Sequence, residues 1–271
     1  MNINSLKSKI YLYTLIAALI SLPLSEIGTQ NPAPHTKSVL TIGNSFADNA
    51  ATFLSQIAES VPGYTIEITK ANIGGCSLEK HAALIGECRK NPDLKPYYQK
   101  YCLQELLTMN DYDVVTIQQV SHLSIHADSF EPFAHELIDF IRKNAEESEI
   151  KVHQIWAYGP GSDRLEKWEM TREEMQSRLV QNYTDLASRY NLDILPSGNA
   201  FYTAFEKNPK LDLWSRDRYH ANPNGCYLAG CVWFGELFGI SPKKIQFVPD
   251  GMEPKTAKFL RKMAAKVVNN Q

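Results

Sequence analysis

An α/β domain, with a central, mainly parallel five-stranded sheet between two helical layers (a three-layer α/β/α sandwich), is the fold this sequence predicts. Two observations lead there. From residue 38 onward, short apolar runs rich in β-branched residues alternate with stretches whose apolar positions repeat at helical spacing. Each connecting stretch is also long enough for the crossover that parallel neighbours require.

The elements follow in order. The first strand, 38–42 (SVLTI), runs into Gly43-Asn44-Ser45. Phe53, Leu54, Ile57, Ala58 and Val61 then mark a helix over about 49–60. A second strand, 64–69, alternates and leads to Gly74-Gly75, followed by a helical region over 77–109 broken at Pro92 and Pro96. The third strand, 113–117 (DVVTI), is nearly all apolar, as a strand covered on both faces should be, and ends at Gln118-Gln119. Phe130, Phe133, Leu137, Phe140 and Ile141 form one face of the next helix. A fourth strand, 151–158 (KVHQIWAY), stops at Gly159-Pro160-Gly161, and the stretch up to Trp168 reads as a loop. Thr171 and Glu174 have capping-box spacing and open a helix that ends near Tyr190. The fifth strand is 192–195. Asn222-Pro223 opens an apolar helix to Phe238, with Asn as cap and Pro at the first helical position. A last amphipathic helix spans about 255–268.

The bulk figures bound the rest. The chain has 271 residues, 44% hydrophobic and 21% charged, which fits one globular α/β domain, taken as 36–271. Lys7 and Lys9 precede an apolar run over 10–24, the pattern of a secretory signal; residues 1–28 are assigned to it and 29–35 to a polar linker. The expectation is an exported, periplasmic or extracellular protein, with no stable membrane partner beyond that segment. A net charge of −2 without a long basic run gives no electrostatic reason for a nucleic-acid partner. Of the five cysteines, none lies in a C-x-x-C, and His81, His122, His126, His135 and His153 show no ligand spacing, so no metal and no cofactor is expected. Oligomeric state is not encoded legibly.

The candidate chemistry lies at the strand ends. Ser45 falls where the first strand meets the first helix, a place from which a hydroxyl attacks a carbonyl when a base is near. His220 is such a base in Asp217-Arg218-Tyr219-His220, where a carboxylate three residues earlier can hold the other imidazole nitrogen. Gly74 and Gly75 allow close backbone approach. Only one of Gln118 and Gln119 should face the same side of the sheet, because successive strand residues point to opposite faces. Asn44, His122, Trp156 and Tyr158 are candidates for substrate contact. The two aromatics either stack on a sugar face or belong to the core.

Gly43-Asn44-Ser45 after strand one, glycine after strand two, an amide ending strand three and Asp217-x-x-His220 before the final helices together resemble the SGNH (GDSL-like) hydrolases. More narrowly, Leu40-Thr41-Ile42-Gly43-Asn44-Ser45-Phe46 and Tyr219-His220-Ala221-Asn222 look like a bacterial SGNH-like esterase group. The resemblance implies Ser45 as nucleophile, His220 as general base and Asp217 as its orienting carboxylate. It implies an oxyanion hole made by the Ser45 N–H, Gly74 or Gly75, and Gln118 or Gln119 in place of the family's asparagine. The activity implied is hydrolysis of O-acyl esters, chiefly O-acetyl, of a small molecule or glycan. A lipid or short-chain acylhydrolase and a non-catalytic glycan-binding surface protein on the same fold are the rival readings.

Overall fold

The computed structural model describes residues 35–268. The expected signal segment and all but the last residue of the expected linker lie outside them. The described chain runs β1 (His35–Gly43), α1 (Ser45–Ala51), α2 (Leu54–Glu59), β2 (Tyr64–Asn72), α3 (Leu78–Lys90), α4 (Leu103–Leu107), β3 (Val114–Ile117), α5 (Phe133–Asn144), β4 (Glu149–His153), α6 (Asp163–Lys167), α7 (Arg172–Tyr190), β5 (Asp193–Leu195), α8 (Ser197–Lys207), α9 (Pro223–Phe238) and α10 (Pro254–Val267).

All strand pairs are parallel and the sheet order is β2-β1-β3-β4-β5. Helices α1, α2, α8, α9 and α10 pack among themselves, and α3, α4 and α5 form a second group. β3 and the last five residues of β1 are fully buried, which is why those segments are mostly apolar, with Thr41 and Thr116 as the polar side chains among them. β1 begins at His35, so residues 35–37, read as linker or its flank, instead pair with Tyr64, Thr65 and Ile66 of β2.

The order fixes where a ligand can sit. From β1 the chain moves to β2 on one side and then returns to β3 on the other. In open parallel sheets the crevice at such a reversal, beyond the carboxyl ends of the strands, is the natural binding place. The residues leaving β1 (Asn44, Ser45) and β3 (Gln118) flank that crevice.

Three elements differ from the expected ones. β4 ends at His153 rather than at residue 158. Its partner β5 is three residues long, and the Gln154 N–H takes the Leu195 carbonyl while the Gln154 carbonyl accepts the Gly198 N–H at the start of α8. Residues 155–158 remain buried without a strand partner. The loop after β4 contains the short α6, and α8 was not anticipated at all. Close packing makes a glycine necessary at 198, because a Cβ there would lie 2.2 Å from the Ile155 carbonyl oxygen.

Candidate active site

Ser45 is placed by a local rule. Asn44 has extended backbone (φ −144°, ψ −159°) and caps α1, its Oδ1 accepting the Phe46 N–H at 3.1 Å. Ser45 is therefore the first helical residue, half-buried at the carboxyl edge of the sheet.

The second contributor is the segment 214–221. Trp214 and Ala221 form an antiparallel bridge, and the Ser215 N–H donates to the His220 carbonyl at 2.8 Å. Arg218 closes the turn in the left-handed region (φ 61°). Asp217 Oδ1 accepts the backbone N–H groups of Tyr219 and His220, both at 3.0 Å, an Asx-type turn that leaves Oδ2 facing the imidazole. Three contacts fasten this loop over Ser45. The Gly159 N–H donates to the Arg218 carbonyl (2.7 Å), Trp156 Nε1 to the Tyr219 carbonyl (2.9 Å), and the Ala221 N–H to Asn49 Oδ1 (3.1 Å).

The result is a line of two hydrogen bonds. His220 Nδ1 lies 2.7 Å from Asp217 Oδ2, and His220 Nε2 lies 2.7 Å from Ser45 Oγ. An ionised carboxylate only accepts, so Nδ1 carries the ring proton and Nε2 presents its lone pair to the Ser45 hydroxyl. Burial acts to raise the Asp217 carboxyl, but the hydrogen bonds from the His220 ring and from the Tyr219 and His220 N–H groups outweigh it and hold it below the usual carboxylate value. The Phe46 ring, 5.7 Å from the imidazole, stacks at 4.7 Å on Trp156 and so walls the site from the core side.

Beneath Ser45 runs a buried polar chain whose proton directions can be worked out. Asn44 Nδ2 donates to the Cys76 carbonyl, so Oδ1 faces both the Phe46 N–H and Gln118 Nε2 (2.7 Å). That orients the Gln118 amide, whose Oε1 accepts from His153 Nδ1 at 2.7 Å. His153 Nε2 then accepts from the Ser197 hydroxyl at 3.1 Å. On the other side of the junction, His81 Nε2 donates to the Gly43 carbonyl (3.0 Å) and its Nδ1 accepts from Tyr97 Oη (2.9 Å). Gly43 is a glycine for a steric reason: a Cβ would sit 3.0 Å from the Gln118 side chain.

Both histidines are neutral in the folded protein. Burial lowers His81 to about 4, partly offset by its bond to the Gly43 carbonyl, and burial lowers His153 to about 3. An exposed histidine titrates near ~6.5. Between about pH 6.5 and 4 the unfolded chain therefore binds more protons than the native one. Stability is retained above that window and falls as the pH drops through it. His81 alone accounts for roughly 3 kcal/mol across it. Urea denaturation of the wild type and of His81→Gln at pH 7 and pH 4.5 checks this. The variant should lose about 2 kcal/mol less than the wild type on acidification, and equal losses would contradict the assignment.

Of the residues singled out from sequence, Ser45, Asp217 and His220 are brought together. Gly74 and Gly75 lie exposed just past β2, beside the Gly43–Asn72 register pair. Gly75 is left-handed (φ 67°), and among the described residues neither N–H donates to a backbone carbonyl. His122 is exposed after β3. Five of the candidate residues are reassigned. Asn44 is fully buried as a helix cap and is not positioned to touch substrate. Gln118 is buried and donates to Asn44, the neighbour of Ser45, rather than facing the cleft. Gln119 points the other way, its amide engaging Leu78 N, Val120 N and the Ser129 carbonyl. Trp156 and Tyr158 are core: Trp156 is sandwiched between Phe46 and Phe201 (4.4 Å, 7°), and Tyr158 is wholly buried.

Sequence reasoning missed Asn49, His81, Tyr97 and His153. Only Asn49 carried a usable signal, since its place four residues after Ser45 puts it on the same helix face. Among the described residues no group of three or more His, Cys, Asp or Glu side chains is arranged to hold a metal ion.

Comparison with known proteins places this geometry in a lineage. Residues 38–267 match the family model described as a domain of unknown function, DUF4886. No curated protein matches the chain. Among solved structures, a DUF4886 family protein from Bacteroides uniformis is 29% identical, with a TM-score of 0.77 over 85% of this chain and 94% of its own. A Slackia heliotrinireducens protein proposed to be an SGNH hydrolase (21% identity, TM-score 0.57) covers 74% of this chain and 99% of its own. An acetyl xylan esterase (19%, 0.52) covers 73% and 98%. The protein belongs to the DUF4886 family, and its fold is that of the SGNH hydrolases.

Proposed function

We propose that the protein is an exported serine hydrolase that cleaves O-acyl esters, chiefly acetyl esters carried by carbohydrates. The observation that carries this reading is the unbroken line from Ser45 Oγ through His220 to Asp217, built from side chains 175 positions apart in the case of Ser45 and His220. Such a line is the machinery for moving a hydroxyl proton as the oxygen attacks a carbonyl.

In the first step Ser45 Oγ bonds to the ester carbon while its proton passes to His220 Nε2, and Asp217 stabilises the imidazolium. The N–H of Ser45 and that of Gly74 or Gly75 receive the developing oxyanion. Collapse expels the alcohol, which takes the proton from Nε2 and leaves an acyl-Ser45. Water repeats the sequence and releases the acid.

The lip of the site favours a polar alcohol portion, because His122, Arg164, Asp217 and Tyr219 are half-buried or exposed there. The acetyl xylan esterase among the proteins of like fold lends weight to an acetylated sugar. A panel of acetylated glycans beside esters of longer acids tests the choice. The acetyl group should be preferred over an octanoyl group by at least about tenfold in kcat/KM. Preference for the long chain would favour the lipid-directed reading, and absence of turnover the glycan-binding one.

A further inference from the structure

On the lip of this site stands a cation that has no counter-ion among the described residues. The guanidinium carbon of Arg164, in α6, lies 4.0 Å from the centre of the Tyr219 ring, and that ring lies 4.4 Å from the His220 imidazole. Two ring contacts in succession thus join Arg164 to the group paired with Ser45. The guanidinium is held in place: Nη1 donates to Tyr158 Oη at 3.1 Å, and Tyr158 Oη in turn bonds Ser121 Oγ at 2.9 Å inside the core. This uses one of five donors. Among the described residues no carboxylate pairs with Arg164. The contrast with its neighbours is direct, since Arg218 on the same rim is neutralised by Asp212 at 2.8 Å and Arg172 by Glu173 and Glu206. His122, nearby, is held toward its neutral form, first by burial and then by the charges of Arg164 and His126, so it responds to the positive field there rather than adding to it.

We propose that Arg164 is a specificity-determining residue that binds a carboxylate of the substrate, within about one sugar ring's span of the scissile ester. This rests on Ser45 and His220 being the reaction centre. A half-buried, pre-oriented guanidinium with its planar fork open matches a carboxylate in two parallel hydrogen bonds. The carboxylate belongs either to the alcohol portion, as in an O-acetylated uronosyl residue, or to the acyl portion, as in a monoester of a dicarboxylic acid.

Paired substrates separate these sources: methyl 3-O-acetyl-galacturonide against the corresponding galactoside, and para-nitrophenyl hemisuccinate against para-nitrophenyl acetate. The wild type should prefer the anionic member of one pair by at least about tenfold in kcat/KM, and that pair tells which portion carries the charge. Arg164→Met, which keeps the packing on Tyr219, should lower the preference ratio about 10- to 100-fold, mainly through KM. Arg164→Lys should recover part of the ratio. No preference in either pair, or a ratio unchanged in Arg164→Met, overturns the proposal while leaving the esterase reading intact. Turnover that does not depend on Ser45 overturns that reading instead.

Discussion

Ser45→Ala lowers kcat/KM for an activated acetyl ester by at least about 10⁴-fold and leaves the protein folded, with a melting temperature within a few degrees of the wild type. The size of the loss follows from what the side chain touches. The described partner of Ser45 Oγ is His220 Nε2, so removing the hydroxyl deletes the nucleophile without breaking a structural contact. Alanine is also at home at the first position of a helix, and the Asn44 cap on the Phe46 N–H is untouched. Because nucleophile and base act as a unit, Ser45→Ala combined with His220→Gln should be scarcely worse than either alone. Hydrolysis rates with a thermal melt on each variant check the prediction. A single variant retaining more than about a tenth of the activity would contradict it.

Asp217→Asn gives the second large effect, a fall of about 10³–10⁴-fold in kcat. Oδ1 of Asp217 accepts two backbone N–H groups, and an asparagine oxygen can take over that duty. Its amide nitrogen then faces His220 Nδ1 and, as a donor, drives the ring proton onto Nε2. The ring then offers Ser45 a donor where the reaction needs an acceptor. The loop should survive, so the melting temperature should change little while turnover collapses. A kcat within about tenfold of the wild type would show that the carboxylate does not set the tautomer, and unfolding would show that asparagine does not keep the turn.

How much of this was legible in the sequence depended on how local each determinant is. The capping box at Thr171–Glu174 and the Asn222-Pro223 start gave α7 and α9 to within a residue, because helix caps are set by side chains a few positions apart. The strand–Asn–Ser junction and the Asp217-x-x-His220 turn were readable for the same reason. Each is a short-range hydrogen-bonding motif, and their meeting was the only long-range inference needed. Determinants fixed by distant partners were not readable. The run 154–158 has strand composition, yet β4 stops because β5 is short and the start of α8 takes its hydrogen bonds. α8 escaped notice because Pro196 supplies no side-chain cap and Gly198 falls in its first turn, a glycine demanded by the Ile155 carbonyl rather than by the helix itself. Trp156 was a sugar platform or a core residue by sequence alone, and only the stacking of Phe46 and Phe201 on it decided for the core. His81 and His153 looked like isolated histidines, although each fixes one side of the Gly43–Asn44 corner.

That corner explains a feature of the site's construction. Ser45 is held from below by groups that never reach the cleft: Asn44 by Gln118, Gln118 by His153, and Gly43 by His81. A buried, fully directed chain of this kind restricts the hydroxyl to one place, which is what alignment with a separately folded imidazole requires.

The most direct test of the central claim is covalent labelling of the wild-type protein with a fluorophosphonate, followed by mass analysis of the intact chain and its peptides. One adduct per chain on the peptide containing Ser45, absent in Ser45→Ala and strongly slowed in His220→Gln, is the outcome expected of a hydroxyl activated by that imidazole. A protein that stays unlabelled, or carries its label on another residue, would contradict the account.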